Sequence, residues 1–388
     1  MILSPLADKR CQICSAASLR EIESFRALER VTSDAKTWEP GGRLCVCGDC
    51  GTGQKVVDAD WLGEIEEVYR RYALYYQSSG DEQPIFSSRA GGPVPRSALI
   101  ADYLESVISL GNQASVLDFG CGNGSALRTF SKRRPMWRLY GAELSDSALE
   151  RLRQLPNFVT LFTGRPEDIA ERFDLVTLIH ALEHVVEPAS VLSAIRRLLV
   201  EGGHTFVAVP NGAITPYDLV IADHLTHFSL DALRRVGVRA GYDAVAASDS
   251  ILPKELSWIG VASSGAVAPP AMDAGAGVRR IQAQVAWLHE QIASADRIAR
   301  AAKSFGVFGT SISGTWLAGA LGESVHFFVD EDPGRMGRQH MGRPIVSPGQ
   351  IRDGSDVYVP LIPSISNAVA GRCERPGVRF HATPDIGR

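Results

Sequence analysis

The spacing of hydrophobic positions changes along the chain, and the clearest pattern begins near residue 114. Short aliphatic and aromatic runs alternate there with segments of helical spacing. Such alternation is typical of βαβ units, so we predict an α/β fold built on a doubly wound parallel sheet. The predicted strands are 116–119, 137–142, 158–162, 173–179 and 204–209, with 258–262 as a late edge strand.

A second α/β unit is predicted near the end of the chain. Apolar runs at 305–309, 325–329 and 356–361 are its strands, and 310–321 is its first helix. Residues 266–277, rich in Ala, Pro and Gly, are predicted to be a linker.

Between the linker and this unit, apolar residues recur at gaps of three and four from Val278 to Ala299. This spacing predicts an amphipathic helix packed between domains. A short coiled coil in a homodimer is the alternative, since the stripe covers about two to three heptads.

Before residue 114, helical spacing covers Trp61–Tyr76 and about 97–110, with a predicted linker at 91–95. The hydroxyl groups of Tyr76 and Ser79 either line a ligand pocket or belong to a packing face. The predicted organisation is a zinc-binding module (1–60), a helical connector (61–96), a ligand-binding core (97–265), a linker with a helix (266–303) and a C-terminal Rossmann-like module (304–388).

The cysteines are clustered at the start of the chain. Cys11 and Cys14 form one Cys-x-x-Cys pair, and Cys47 and Cys50 form another. Two such pairs supply four thiolates for a tetrahedral, structural Zn(II) site. Cys45 is an alternative to Cys47 as a ligand, and free thiols in a small core are the other interpretation.

Composition narrows the class of partner. The chain has 388 residues, 45% of them hydrophobic, and a net charge of −4. It therefore has no general attraction for nucleic acid or an anionic membrane. No spanning segment or signal peptide is recognised. We expect a cytoplasmic protein with a small-molecule partner, neither nucleic acid nor membrane as partner, and a monomer or homodimer.

The segment 116–125 combines a strand, a glycine-rich turn and the start of a helix. Its glycine spacing differs from the dinucleotide fingerprint. Asp118 at the strand end opposes a phosphate but suits an ammonium group. Glu143 follows the next strand, where it can accept hydrogen bonds from both hydroxyls of a ribose. An ammonium group and a ribose without phosphate describe S-adenosylmethionine.

Residues 114–212 resemble a class I S-adenosylmethionine-dependent methyltransferase. The resemblance rests on this turn, Glu143, and the segments 166–168, 182–185 and 198–203. It implies that the turn holds the methionine part, Glu143 the ribose and 166–168 the adenine. The residues assigned on this basis to the cofactor are Asp118, Gly120, Cys121, Gly122, Asn123, Gly124, Glu143, Leu144, Glu167, Asp168, His180, Tyr76 and Ser79.

The three-part layout resembles the sugar C-methyltransferases, which act on nucleotide-linked 4-keto deoxysugars in bacterial antibiotic and surface-glycan pathways. In that family an acid-histidine element after the fifth strand lies at the sugar. It corresponds here to Asp223-His224. Residues 360–364, Pro-Leu-Ile-Pro-Ser, replace a Trp-Asn pair that is common in the family's C-terminal module.

Carbon methylation requires removal of a proton α to a carbonyl, and imidazole titrates in the required range. The hypothesis is therefore that His224 is the base and that Asp223 orients it. His180 is a second catalytic candidate, followed by His184 and His227, and each of these histidines could instead merely cap or pack.

Two other functions stay open at this point. O-methylation of a sugar or natural-product hydroxyl is the first alternative. The second is a nucleotide-binding or NAD-linked protein without methyl transfer, suggested by Gly306, Gly309 and Gly314 followed by Asp330.

Overall fold

The computed structural model describes residues 10–71, 82, 84–87, 92–263, 265 and 268–387. Within these ranges, no helix has both the length and the apolar character needed to cross a bilayer.

The secondary structure of the described residues follows in chain order. The strands are β1 Leu19–Glu21, β2 Arg30–Val31, β3 Thr37–Trp38, β4 Leu44–Cys47, β5 Gly53–Lys55, β6 Pro84–Ser87, β7 Gly92–Pro95, β8 Ser115–Phe119, β9 Arg138–Ala142, β10 Phe158–Phe162, β11 Phe173–Ile179, β12 Leu199–Pro210, β13 Thr226–His227, β14 Tyr242–Ser248, β15 Glu255–Ala262, β16 Phe305–Phe308, β17 Phe327–Val329, β18 Gln339–His340, β19 Arg343–Val346, β20 Ser355–Val359 and β21 Val378–Ala382. The α-helices are α1 Ala59–Arg70, α2 Arg96–Val107, α3 Ser125–Arg133, α4 Leu149–Leu152, α5 Pro188–Arg196, α6 Leu230–Arg239, α7 Ala274–Ala301, α8 Ile312–Leu321 and α9 Pro363–Cys373. The 3₁₀ helices are Glu23–Ala27, Pro166–Asp168, Leu182–His184, Pro216–Val220, Gly322–Ser324 and Pro348–Gln350.

The central sheet has the order β10-β9-β8-β11-β12-β15-β14. The first five strands in this order are parallel, and β15 and β14 are antiparallel to their neighbours. Val116 and Leu117 of β8 are fully buried, as expected for a strand covered on both faces. The strand order reverses between β8 and β11, and open α/β sheets bind ligands at such a point. The predicted α/β fold is therefore confirmed.

The prediction of an edge strand at 258–262 is wrong in its position. β15 pairs with β12 on one side and with β14 on the other, so β14 is the edge strand. The sequence of β14, Tyr-Asp-Ala-Val-Ala-Ala-Ser, carries little apolar signal because this edge is partly solvated.

The N-terminal strands form a sheet that includes a segment of the core. Its order is β1-β4-β5-β13, with Thr226 opposite Gln54 and His227 opposite Gly53. β13 lies in the loop after β12, the loop that carries Asp223-His224. The N-terminal module is therefore joined to this loop by main-chain hydrogen bonds.

Two connecting segments differ from their predicted form. Part of the predicted linker 91–95 is a strand, since β7 pairs with β6 in a hairpin. The linker predicted at 266–277 is shorter than expected, because α7 already begins at Ala274, where the Asp273 side chain caps it. The predicted helix 61–76 corresponds to α1, and its predicted final residues lie outside the described part of the chain.

The predicted amphipathic helix is confirmed as α7, which buries Ile281, Val285 and Leu288. These residues share one apolar cluster with residues of the N-terminal module and of the C-terminal sheet. That sheet has the order β18-β19-β17-β16-β20-β21 and is parallel except at β18. Trp316 of α8 donates a hydrogen bond to the carbonyl oxygen of Glu29 at 2.9 Å, so the N-terminal and C-terminal units touch directly.

Candidate active site

The turn after β8 depends on glycine. The φ angles of Gly120, Gly122 and Gly124 are +76°, +48° and +76°, in the left-handed region. A Cβ atom on Gly124 would lie 2.3 Å from Cδ2 of Leu152, and one on Gly120 would lie 2.8 Å from Cβ of Ala181. The glycines therefore let the turn pack closely against Leu152 and Ala181, where any side chain would clash.

Glu143 closes one side of this turn. Its Oε2 atom accepts a hydrogen bond from Gly122 N at 2.8 Å, and its Oε1 atom accepts one from Leu144 N at 2.8 Å. The carboxylate is thus oriented by backbone N–H groups. The side chain of Leu144 is exposed beside it, which leaves it available to cover a bound ring.

Asp118 lies under the turn and is 3% exposed. Its Oδ1 atom accepts a hydrogen bond from Oγ1 of Thr177 at 2.6 Å. Burial, opposed by this hydrogen bond and reinforced by the charge of Glu143, raises the pKa of Asp118 to about 7. A buried carboxyl group of this kind gains from a cation placed beside it.

The other residues assigned to the cofactor occupy more varied places. Cys121 is buried, and the carbonyl oxygen of Asn123 accepts a hydrogen bond from Arg128. Asp168 accepts a hydrogen bond from Arg165 N at 3.1 Å and so caps its own 3₁₀ turn, and both Glu167 and Asp168 are exposed. Tyr76 and Ser79 lie outside the described residues.

His180 follows β11 with φ at +52°, a strained value for a residue with a side chain. Its Nδ1 atom is 3.1 Å from Oε1 of Glu183, and its Nε2 atom is 3.0 Å from Oε2 of Glu255. Burial acts against the charged ring, but Glu255 and Glu183 prevail and raise the pKa of His180 to about 9. His180 is half-buried, and this edge of the sheet thus carries a stable cation.

The partner of His224 is Asp218 rather than the predicted Asp223. Nδ1 of His224 lies 2.6 Å from Oδ1 of Asp218, and Nδ1 of His227 lies 2.6 Å from Oδ2 of the same carboxylate. Although burial acts in the opposite direction, His227 and His224 hold the pKa of Asp218 well below its usual range. Asp218 was missed because it lies in the 3₁₀ helix Pro216–Val220, six residues before His224, and no spacing rule connects the two.

Asp223 holds the loop instead. Its two carboxylate oxygens accept hydrogen bonds from N and Oγ of Ser33, at 2.8 and 2.5 Å. Its carbonyl oxygen lies 2.9 Å from Nδ1 of His184, whose ring is 4.7 Å from that of His224 between centroids. The structure thus brings His180, His184, Asp223 and His224 into one region, with Asp223 turned toward the N-terminal module.

Lys55 ties the same module to the loop. Its Nζ atom donates a hydrogen bond to the carbonyl oxygen of Leu219 and lies 3.5 Å from Nε2 of His227. Complete burial lowers the pKa of Lys55 to about 7. A buried amine costs stability unless neighbouring groups accept its hydrogen bonds. The carbonyl oxygen of Leu219 supplies such an acceptor from this loop.

The four predicted cysteine ligands converge. Sγ of Cys11 is 3.5 Å from Sγ of Cys50, and Sγ of Cys14 is 3.6 Å from Sγ of Cys47. All four Sγ atoms lie within 4.8 Å of one another. Zn–S bonds of about 2.3 Å in a tetrahedron separate the sulfurs by about 3.8 Å, so the cluster has the right size. Cys45 lies outside this cluster.

Comparison with known proteins shows the family to which this chain belongs. The family model of a methyltransferase domain matches residues 95–247. A ubiquinone biosynthesis O-methyltransferase from Pasteurella multocida is 30% identical over 177 residues, which is 41% of this chain and 68% of that protein. This chain belongs to the class I S-adenosylmethionine-dependent methyltransferases.

A second relative of this methyltransferase, the ubiquinone biosynthesis O-methyltransferase from Pseudomonas aeruginosa strain UCBPP-PA14, is 35% identical over 104 residues. The match spans 25% of this chain and 44% of that protein. Among solved structures, the complex of the Haloferax volcanii Trm112 methyltransferase activator with a putative methyltransferase matches at 20% identity and a TM-score of 0.38. That likeness covers 43% of this chain and 91% of the other.

Proposed function

We propose that this methyltransferase transfers the methyl group of S-adenosylmethionine to a small oxygenated acceptor molecule. We propose further that this molecule is a nucleotide-linked deoxysugar, and that the carbon α to its ketone receives the methyl group. The observation that carries the proposal is the buried acid-histidine cluster beside the glycine turn. Ala181, between His180 and the 3₁₀ helix Leu182–His184, touches the position where Gly120 would carry a Cβ. Cofactor turn and proton-transfer groups thus share one edge of the sheet.

The turn fits the cofactor because its glycines adopt left-handed φ angles that no other residue adopts without strain, and because two carboxylates are available for different parts of one ligand. Asp118 would receive the ammonium group and Glu143 the ribose hydroxyls. Leu144 would cover the adenine. The cofactor supplies an electrophilic methyl group when bound, and the protein's own task is to position the acceptor and remove a proton.

Proton removal is centred on His224. The ionised Asp218 accepts the Nδ1 proton of this ring, which fixes the tautomer and leaves a lone pair on Nε2. His180, held as a cation by Glu255 and Glu183, stabilises the negative charge that develops on the acceptor oxygen. Asp223 acts as a positioning residue through Ser33.

The remaining modules complete the proposal. Structural Zn(II) at Cys11, Cys14, Cys47 and Cys50 fits the sulfur spacing and would rigidify the sheet that includes β13. In the C-terminal module, α8 packs against the N-terminal strands β2 and β3. We place the protein in the cytoplasm of the cell.

O-methylation of a hydroxyl is the second candidate, because the two named relatives are O-methyltransferases. Both candidates need the same cofactor turn and the same proton-removing cluster. They differ in the atom that receives the methyl group.

The test uses the purified full-length protein with S-adenosylmethionine carrying a ¹³C-labelled methyl group. Nucleotide-linked 4-keto deoxysugars and phenolic hydroxyl compounds are offered in parallel, and products are examined by mass spectrometry and NMR. A new ¹³C–C bond on the sugar supports the first candidate, and a ¹³C–O bond supports the second. Binding of the cofactor with no transfer to any oxygenated acceptor contradicts both.

A further inference from the structure

Three side chains of metal-ligand type converge within the histidine cluster. One atom from each of Glu183, His184 and His224, a carboxylate oxygen or a ring nitrogen, lies within 4.8 Å of the other two. Glu183 is 1% exposed and His224 is 4% exposed. These residues are therefore not a chance grouping on the surface, and one ion could contact all three after small side-chain rotations.

The hydrogen bonds of the two histidines orient them as metal ligands. Nδ1 of His184 faces the carbonyl oxygen of Asp223 at 2.9 Å, and a carbonyl can only accept, so Nδ1 carries the proton. Nδ1 of His224 faces the carboxylate of Asp218 at 2.6 Å and is likewise the donor. Metal-bound histidines commonly donate one ring N–H to a carboxylate or carbonyl in this way, which leaves Nε2 to the metal.

Glu183 has acceptor capacity to spare. Both of its carboxylate oxygens are buried and without an aligned hydrogen-bond donor. Nδ1 of His180 is 3.1 Å from Oε1, but it lacks the alignment of a hydrogen bond. His180 compensates part of the charge of this carboxylate, and the oxygen lone pairs that accept no hydrogen bond stay available to a bound cation.

We propose that Glu183, His184 and His224 form a binding site for one divalent transition-metal ion, ligated through the two Nε2 atoms and a Glu183 oxygen. Two imidazoles and one carboxylate suit Zn(II) or Fe(II) and are poorer ligands for Mg(II) or Ca(II). Three protein ligands leave coordination positions open. An acceptor hydroxyl, or the carbon α to an acceptor ketone, would become more acidic when its oxygen is bound there. Its proton would then pass to solvent water, because the Nε2 lone pair of His224 is taken by the ion.

The proposal deepens the proposed function and rests on it, since it states how the cluster activates the acceptor. It is separate from the cysteine site. Sulfur ligands give a cobalt-substituted site strong charge-transfer absorption, whereas a site of nitrogen and oxygen ligands gives only weak visible bands.

The experiment strips the full-length protein of metal and titrates it with Co(II) alone. We expect about two equivalents per chain, one with thiolate charge-transfer absorption and one with weak visible bands. The variants Glu183→Gln and His184→Gln should each bind about one equivalent and lose only the weak bands. Two variants at different positions are used because the loss of a buried ligand can also disturb folding, which circular dichroism and thermal unfolding monitor.

The matched control is His227→Gln. His227 shares the carboxylate of Asp218 with His224, but its Nε2 atom faces Lys55 rather than Glu183. The His227→Gln variant should bind about two equivalents of Co(II), as the wild type does. Retention of both equivalents by folded Glu183→Gln and His184→Gln proteins would overturn the proposal, and so would a single thiolate-bound equivalent in the wild type.

The same preparations separate this proposal from the proposed function. Methyl transfer by a wild type that holds only the thiolate-bound ion refutes the metal site, supports the proposed function and leaves His224 as the base itself. Two bound equivalents without transfer to any oxygenated acceptor support the metal site and contradict the proposed function.

Discussion

The chain contains two strand–turn–helix units that look alike in sequence and differ in structure. In the first, β8 leads into a glycine turn, and Glu143 follows the next strand. In the second, β16 leads into Gly309, and Asp330 follows β17. Backbone N–H groups hold Glu143, whereas Oδ2 of Asp330 accepts hydrogen bonds from N and Oγ1 of Thr310 at 3.2 and 2.8 Å and pairs with Arg335 at 3.0 Å.

The second unit is closed on itself. A Cβ atom on Gly314 would lie 2.0 Å from the carbonyl oxygen of Gly309, so its glycine serves tight packing of α8 against the turn. The guanidinium of Arg335 neutralises the carboxylate that a dinucleotide ribose would need. An acid after the second strand therefore indicates a ligand site only when no side-chain cation of the protein already occupies it.

The largest expected effect tests whether proton transfer depends on the histidine cluster of the methyltransferase core and not on the second unit. His224→Ala should lower turnover by about 10²-fold or more, because it removes the group on which proton transfer is centred. Cofactor affinity should be unchanged. Steady-state rates at saturating acceptor measure the effect. The control is His340→Gln, whose ring bonds to Thr315 in the second unit and whose loss should leave turnover unaltered. Near-wild-type turnover of the His224→Ala variant would contradict the assignment of proton removal to His224.

The next effect compares the two acids. Glu143→Ala should weaken S-adenosylmethionine binding by about 10- to 100-fold, because hydrogen bonds to a charged group contribute about 1.5–3 kcal/mol. Asp330→Ala should lower the free energy of unfolding and leave that affinity alone. Isothermal titration calorimetry measures the cofactor affinity of both variants, and chemical denaturation measures the free energy of unfolding. Equal weakening by the two variants would mean that the second unit also holds cofactor.

Matched glycine substitutions test the turns themselves. Gly124→Ala adds a clash with Leu152 to the strain of a positive φ, and it should cost about 2–3 kcal/mol of stability. Gly309→Ala has φ at +85° but no atom within 4 Å of its Cβ, so it should cost only about 1 kcal/mol. Chemical denaturation gives the difference, and a larger loss for Gly309→Ala would contradict the described packing.

The smallest effect is a pH dependence of cofactor affinity. The pKa of Asp118 is about 7 because burial outweighs the Thr177 hydrogen bond, with Glu143 adding to the rise. Below that pH the carboxyl group of Asp118 is neutral and no longer attracts an ammonium group electrostatically. Affinity should therefore increase by up to about tenfold from pH 6 to 8 and then level off. Asp118→Asn should bind more weakly and with a flatter profile; an unchanged slope would assign the titration to another group.

The sequence by itself determined the strand, glycine turn and helix start at 116–125, the positions of the core strands along the chain and the four converging cysteines. These features depend on residues close in the chain or on short repeated spacings, where backbone geometry and burial act locally. Asp118 to Glu143 spans two adjacent strands, and their parallel pairing follows from the alternation of strand and helix.

Only the tertiary structure decided how the histidines are paired. Asp218 is joined to His224 and His227 within one loop, Glu255 to His180 between two elements of the core, and Asp223 to Ser33 between the core and the N-terminal module. β13 joins the N-terminal sheet through two residues only. Such pairings carry no periodic signal, because each depends on one buried charged group meeting a partner when loops and strands pack together.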